Sequence, residues 1–125
     1  MTSLTRPTAS GPPANANRPT FTPEQAADAQ QNLCATYKLA AKEVQVETNG
    51  SDRALARIAL TNAAAMIDNS ASNPALDGKY RDAARALASA YRNTTALGSV
   101  ATEAEYRSSL DAIVAKDTAM KQFCE

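Results

Sequence analysis

Alanine is the residue that most constrains what this chain can fold into. It occupies 28 of the 125 positions, and most of these alanines lie after Phe21. Alanine has the highest helix propensity and lets helices approach closely, but each alanine side chain buries little apolar surface. The sequence therefore predicts an all-α domain whose helices pack tightly around a thin core.

The first 21 residues differ in composition from the rest of the chain. They hold four of the six prolines, together with Ser, Thr, Asn and Gly, and they show no repeated apolar spacing. A segment of this kind cannot bury enough apolar surface to fold. We expect residues 1–21 to form a disordered linker and residues 22–125 to form a single helical bundle domain, which is large enough to fold alone.

Four segments show helical spacing of apolar residues. In the first, Thr22 and Gln25 form a capping-box pattern around Pro23, which suits the first helical position. Its apolar stripe comprises Ala26, Leu33, Tyr37, Ala40 and Val44, and Cys34 borders it. The turn dipeptide Asn49-Gly50 ends this segment, and Ser51 is the expected N-cap of the next helix.

The remaining three helices follow from the same signals. The stripe of the second comprises Leu55, Ile58, Ala59, Asn62, Met66 and Ile67. The third has Asn73 or Asp77 as its N-cap and Gly98 as its end, with a stripe of Leu76, Tyr80, Ala83, Leu87, Ala90 or Tyr91, Thr94 and Leu97. The fourth starts with the capping-box pair Thr102 and Glu105, with a stripe of Tyr106, Leu110, Ile113, Asp117, Met120 and Cys124. Short loops between four such helices favour an antiparallel up-down four-helix bundle.

The two cysteines of the chain, Cys34 and Cys124, allow three interpretations. In an up-down bundle the first and last helices are antiparallel neighbours, so Cys124 approaches the N-terminal half of the first helix. A disulfide there needs a stagger between the helices, and it would close a loop of roughly 90 residues and contribute about 4 kcal/mol. Two independent thiols are the second interpretation. Metal ligation is the least favoured, because two cysteines without histidine cannot complete a tetrahedral site.

Several function classes are disfavoured by what the sequence lacks. The chain has no histidine, which is the commonest general base and metal ligand. It also shows no carboxylate cluster, nucleophile elbow, P-loop or dinucleotide-binding glycine pattern. Thirteen basic and thirteen acidic residues cancel without forming a basic patch, which argues against nucleic-acid binding. We therefore expect no enzyme, no catalytic residues, no metal and no cofactor.

Two sets of side chains are candidates for the lining of a ligand cavity. Asn62 and Asp117 interrupt apolar stripes, and they either lie at the margins of those stripes or form a buried polar pair. The tyrosines either fill the alanine-rich core or line a slot for an apolar ligand, including a haem held by a tyrosinate. The candidate cavity residues are Tyr37, Tyr80, Tyr91, Tyr106, Asn62 and Asp117.

Several stretches of the chain resemble the extracytoplasmic part of alanine- and proline-rich membrane proteins of mycobacteria. They are "FTPEQAADAQQNLCATYKLAAKEVQVETNG", "ALARIALTNAAAMI", "NPALDGKYRDAARALASAY" and "AKDTAMKQFC". The resemblance implies that Cys34 and Cys124 form a disulfide and that the N-terminal segment is a linker from a membrane anchor. It brings no catalytic residues.

The sequence thus leads to two functional hypotheses. The first is a non-enzymatic extracytoplasmic domain, membrane-anchored in the cell envelope through a tether outside this chain or secreted, that acts in envelope structure or binds an unknown protein partner. The alternative is a carrier of a lipid, haem or other apolar molecule. A carrier needs a cavity of about 300 Å³ or more among the tyrosines, whereas an interaction module needs an exposed apolar patch.

Overall fold

Four α-helices account for most of residues 20–125, which are the residues that the computed structural model describes. They are α1 (Pro23–Thr48), α2 (Arg53–Ala71), α3 (Gly78–Val100) and α4 (Glu103–Cys124). Each helix packs against the next one along the chain, and no strand occurs in this part of the chain. The predicted all-α four-helix bundle is confirmed. The linker predicted over residues 1–21 lies outside the described residues, except for Thr20 and Phe21.

Both predicted capping boxes are present. The backbone N–H of Gln25 donates to Oγ1 of Thr22 at 3.1 Å, and the backbone N–H of Thr22 donates to Oε1 of Gln25 at 2.8 Å. Thr102 and Glu105 form the same reciprocal pair at the start of α4. Each pair satisfies backbone donors that a helix N-terminus leaves without partners, so both helices begin where the sequence places them.

Two predicted helix boundaries are wrong. The N-cap of α2 is Asp52 instead of Ser51, because the carboxylate of Asp52 accepts from two backbone N–H groups at 2.9 and 3.1 Å. Gly98 does not end α3, which continues to Val100. Its role is to leave space, since a Cβ atom on Gly98 would lie 3.1 Å from Cδ of Arg57.

The buried face of α2 also differs from the prediction. Ala59 and Ile67 of the predicted stripe are buried, but Leu55 and Ile58 are 46% and 62% exposed, and Asn62 is exposed as well. The buried face is instead made by Ala56, Ala59, Leu60, Ala63, Ala64, Ile67, Ser70 and Ala71. Because α2 packs against both α1 and α3, small side chains are needed on most of its inner surface.

Cys34 and Cys124 form a disulfide, with their Cα atoms 5.3 Å apart and 90 residues apart in sequence. Cys124 is the last residue of α4, whereas Cys34 is the twelfth residue of α1. The first eleven residues of α1, Pro23–Leu33, therefore extend beyond the end of α4. The predicted stagger is therefore present. Apart from this junction, α1 and α4 approach each other over a shorter stretch than the other neighbouring helices do. The bundle is thus left partly open between its first and last helices.

Candidate binding cleft

A cleft of about 620 Å³ lies between α1 and α4, and we call it the α1–α4 cleft. It arises because the helices are joined at the disulfide but are not packed together along their remaining length. One wall is α1 from Tyr37 to Asn49. The rest of the lining comprises Tyr91 of α3, the α4 residues Leu110, Ile113, Val114, Asp117, Lys121 and Cys124, and Glu125.

One end of the cleft is closed by a covalent bond and a hydrogen bond. The disulfide joins α1 to the end of α4. Beside it, the hydroxyl of Tyr37 donates to Oδ1 of Asp117 at 2.7 Å and lies 3.3 Å from the backbone carbonyl oxygen of the same residue. Nζ of Lys121 lies 3.7 Å from Oδ2 of Asp117. The carboxylate of Asp117 is therefore already engaged on both oxygens.

The floor of the cleft is apolar and deeply placed. Four side chains form this floor: Tyr37, Val44, Tyr91 and Ile113. Their exposed fractions run from 1% for Tyr91 to 7% for Ile113. Burial raises the pKa of both tyrosines, and the hydrogen bond to Asp117 raises the pKa of Tyr37 further. Both phenols are therefore neutral at physiological pH.

The hydroxyl of Tyr91 is an unused hydrogen-bond donor. Tyr91 lines the cleft, and no hydrogen bond joins its hydroxyl to any other group within residues 20–125; only its backbone carbonyl accepts, from Oγ1 of Thr95. Oγ1 of Thr94 is the one fully buried polar side-chain atom without a partner in that part of the chain, so the Tyr91 hydroxyl keeps a small accessible area although the residue is only 1% exposed. A ligand or water in the cleft can accept a hydrogen bond from it.

Three lysines lie at the rim of the cleft. Lys38 and Lys42 belong to α1 and stand one turn apart, and Lys121 belongs to α4. Lys121 lies beside Asp117, whereas neither Lys38 nor Lys42 forms an ion pair with any residue of the described range 20–125. Val114, which is 63% exposed, adds an apolar side chain to the same rim. The cleft thus combines an apolar floor with a rim on which two positive charges have no counterion.

Three of the six candidate cavity residues, Tyr37, Tyr91 and Asp117, meet in this cleft. The others lie elsewhere. Tyr80 packs edge-on against the ring of Phe123, with the ring centroids 4.8 Å apart. Asn62 is exposed and donates to the carboxylate of Glu43 at 3.0 Å, so it lies at the margin of its stripe, and the alternative of a buried pair with Asp117 is not formed.

Tyr106 belongs to a second, smaller pocket of about 240 Å³. The guanidinium of Arg53 stacks 3.7 Å from the centroid of its ring and also donates to Glu103 at 2.7 Å. Arg107 pairs with the other oxygen of Glu103. The hydrogen bond from Arg53 lowers the pKa of Glu103. Asp52 also lines the pocket, so its two arginines face two carboxylates, and the pocket offers a ligand less unpaired charge than the α1–α4 cleft does.

The sequence analysis missed the lysine rim. Lys38 and Lys42 flank the apolar stripe of α1 at a spacing of four residues, and the spacing of Asp117 and Lys121 is the same on α4. These spacings were visible in the sequence, but they show only that the side chains share a helix face. That the two faces border one cleft depends on the gap between α1 and α4.

Residues 20–125 contain no group of three or more Cys, Asp or Glu side chains arranged to hold a metal ion. In the same part of the chain, no helix is long and apolar enough to cross a membrane. What the cleft offers is apolar surface, one unused hydroxyl and unpaired ammonium groups. These groups are suited to holding a ligand.

Comparisons with protein-family models, curated proteins and solved structures found no match to this chain. The resemblance to mycobacterial alanine- and proline-rich membrane proteins therefore stays a prediction. The functional argument is carried by the geometry of the cleft.

Proposed function

We propose that this chain is a non-enzymatic helical domain that binds an apolar small molecule in the α1–α4 cleft. The observation that carries the proposal is the cleft itself, whose volume of about 620 Å³ exceeds the size that a carrier needs. Pockets that bind small molecules usually have volumes of about 300 to 1,000 Å³ and combine apolar walls with a few polar groups. The α1–α4 cleft lies within this range of volumes, and half of its sixteen lining residues are apolar or aromatic.

The depth of the floor favours a slender ligand over a helix from another protein. A helix with its side chains is roughly 10 to 12 Å wide, and it binds by covering exposed apolar surface. Tyr37, Val44, Tyr91 and Ile113 have almost no exposed surface to cover. A slender alkyl chain needs less apolar surface than a helix does, and it can contact the accessible apolar residues of the lining, Ala41, Leu110 and Val114.

The two tyrosines favour an alkyl ligand over haem. A tyrosine that ligates haem iron does so as a tyrosinate. In the α1–α4 cleft, burial raises the pKa of both phenols, and the hydroxyl of Tyr37 is committed to Asp117. Forming a phenolate here would remove that hydrogen bond and place a charge in an apolar floor. A lipid-like molecule needs neither change.

We also propose an extracytoplasmic location, in the cell envelope on a membrane tether or in a secreted form. The disulfide between Cys34 and Cys124 supports this location, because structural disulfides persist mainly in oxidising compartments. The tether belongs to the resemblance to mycobacterial envelope proteins, and it would precede the bundle through residues 1–21.

Protein–protein interaction, or a structural role in the envelope, is the second candidate function. Its supporting observation is a group of exposed apolar side chains on the α1–α2 hairpin: Leu39, Val46, Leu55 and Ile58. A second copy of this chain is the simplest partner for such a surface. Sedimentation velocity over a range of concentrations tests this candidate, which predicts a dimer that Ile58→Glu dissociates and which a concentration-independent monomer would contradict.

The binding proposal is tested by titrating the protein, freed of bound lipid by reversed-phase extraction and refolding, with N-phenyl-1-naphthylamine. This neutral dye fluoresces when it enters an apolar site. Ala41 lines the cleft, so Ala41→Trp fills it and should abolish binding. Ala35→Trp is the matched control, because Ala35 is an exposed residue of α1 outside the cleft. Equal binding by both variants would refute the cleft as the site.

A further inference from the structure

We propose that the ligand of the α1–α4 cleft is a single-chain alkyl carboxylate whose head group binds at Lys38 and Lys42. This inference rests on the proposed binding function and adds the chemical class of the ligand. The alkyl chain would contact the accessible apolar residues of the lining, Ala41, Leu110 and Val114.

The first argument is the charge of the α1 rim. Lys38 and Lys42 are exposed, lie four residues apart on one helix and border the cleft. Like charges at this spacing repel each other, and within residues 20–125 neither lysine has a carboxylate partner. A bound anion relieves this repulsion and gains attraction from both ammonium groups. A cationic or neutral head group gains neither.

The negative charges of the cleft lie toward its closed end. Asp117 accepts from Tyr37 and faces Lys121, and Glu125 lies beside the disulfide end. Lys38, which follows Tyr37, is near that end as well, and Lys42 stands one turn further from it along α1. An anionic head group between the two ammonium groups is therefore placed toward Lys42, and its chain extends toward the open end.

The hydroxyl of Tyr91 adds a hydrogen-bond donor. Tyr91 lines the cleft, and its hydroxyl has no hydrogen-bond partner within the described part of the chain. A carboxylate accepts from such a donor more strongly than a neutral oxygen does, because the hydrogen bond is charge-assisted. The cleft thus supplies both ammonium groups and a hydroxyl, which is a donor set suited to a carboxylate.

A single chain is inferred from the shape of the cleft. The α1 wall from Tyr37 to Thr48 spans eleven residue steps, or about 16 Å at the helical rise of roughly 1.5 Å per residue. The volume of about 620 Å³ along this wall is closer to that of one extended alkyl chain than to that of the paired chains of a bilayer lipid.

The test compares two soluble amphiphiles with the same chain and opposite charge. Dodecanoate and dodecyltrimethylammonium, both below their micelle-forming concentrations, compete with N-phenyl-1-naphthylamine for the delipidated protein. We expect dodecanoate to displace the dye at a concentration at least ~10-fold lower, a difference of about 1.4 kcal/mol in binding free energy. The preference should shrink as salt rises, because exposed charges are screened.

Variants separate this inference from the binding proposal. The double variant Lys38→Gln/Lys42→Gln should lose the preference for dodecanoate, measured as the ratio of the two amphiphile concentrations that displace the dye from that variant. Lys79→Gln/Lys116→Gln is the control, since these lysines are exposed and do not line the cleft. Equal displacement by both amphiphiles in the unchanged protein would overturn the carboxylate inference and leave the binding function standing. Absence of dye binding would instead remove the binding function.

A membrane surface is the remaining source of anionic alkyl groups. Co-sedimentation with phosphatidylglycerol vesicles measures binding of the protein to such a surface directly. We expect weak co-sedimentation that Ala41→Trp does not change. Strong co-sedimentation without displacement of the dye by dodecanoate would overturn the inference and show that the lysines bind a bilayer.

Discussion

The hydroxyl of Tyr37 and the carboxylate of Asp117 form a 2.7 Å hydrogen bond between residues 80 positions apart in the sequence. This bond and the neighbouring disulfide hold α1 and α4 together at one end. Beyond this point the two helices separate, and the α1–α4 cleft occupies the gap. The same contacts that stabilise the bundle therefore define the closed end of the candidate binding site.

Tyr37→Phe should destabilise the protein by about 2 kcal/mol. The substitution removes a hydrogen bond to a half-buried carboxylate, and hydrogen bonds to charged groups contribute roughly 1.5 to 3 kcal/mol. Urea unfolding near neutral pH measures the effect. Tyr80→Phe is the matched control, because Tyr80 packs on Phe123 through its ring. The same midpoint for both variants would show that the Tyr37–Asp117 bond does not stabilise the fold.

Stability should decline at alkaline pH in a way that depends on Tyr37 and Tyr91. Both have a raised pKa in the folded protein, chiefly through burial. Above pH ~10 the unfolded chain releases these protons while the folded protein retains them, so the free energy of unfolding falls as pH rises. Urea unfolding from about pH 8 to 11 measures the slope. The Tyr37→Phe/Tyr91→Phe double variant lacks both phenols and should show a shallower slope; an unchanged slope would show that these tyrosines do not cause the decline.

The disulfide should be a major source of stability. Cys34→Ser/Cys124→Ser opens a loop closed by residues 90 apart in the sequence. In the chain-entropy model this costs about 4 kcal/mol. Intact mass after alkylation without reduction first establishes the bond in the unchanged protein, and urea unfolding then measures the loss. Two alkylated thiols, or equal stability of the variant, would refute a structural disulfide.

Thr94→Val should stabilise the protein by about 1 kcal/mol. The Oγ1 atom of Thr94 is buried and has no hydrogen-bond partner within the described residues, and an unpaired buried hydroxyl is unfavourable. Valine has the same shape without that group. Thr95→Val is the control, since Oγ1 of Thr95 donates to the carbonyl of Tyr91 and that substitution should not stabilise. Thermal unfolding of both variants measures the effect. A destabilised Thr94→Val protein would show that the Thr94 hydroxyl does not lower the stability of the fold.

Local signals predicted much of the fold. Thr22 with Gln25 and Thr102 with Glu105 identify two helix starts, because a capping box depends only on residues three apart. The juxtaposition of Cys34 and Cys124 followed from helix order. The buried face of α2 could not be predicted in this way, because Leu55 and Ile58 indicated the wrong side of the helix. Burial there is decided by how closely two neighbouring helices approach, and alanine permits this without producing a strong apolar pattern.

The candidate site was predicted only in part. Tyr37, Tyr91 and Asp117 were candidates because aromatic and polar residues stand out on an alanine-rich stripe. Lys38 and Lys42 were missed because a lysine at the margin of a stripe looks like any solvated charge. Their relevance depends on the incomplete packing of α1 with α4, which is a tertiary property.

The most direct test of the central claim is isotope-filtered NMR with methyl-labelled protein and bound N-phenyl-1-naphthylamine. Val114 at the cleft rim and Ile58 on the outer face of α2 form a matched pair, because they are 63% and 62% exposed. We expect nuclear Overhauser effects from the dye to the methyl groups of Val114 and Ile113 and none to Ile58. Nuclear Overhauser effects to Ile58 of α2, or the absence of effects to Val114 and Ile113 of α4, would contradict the α1–α4 cleft as the binding site.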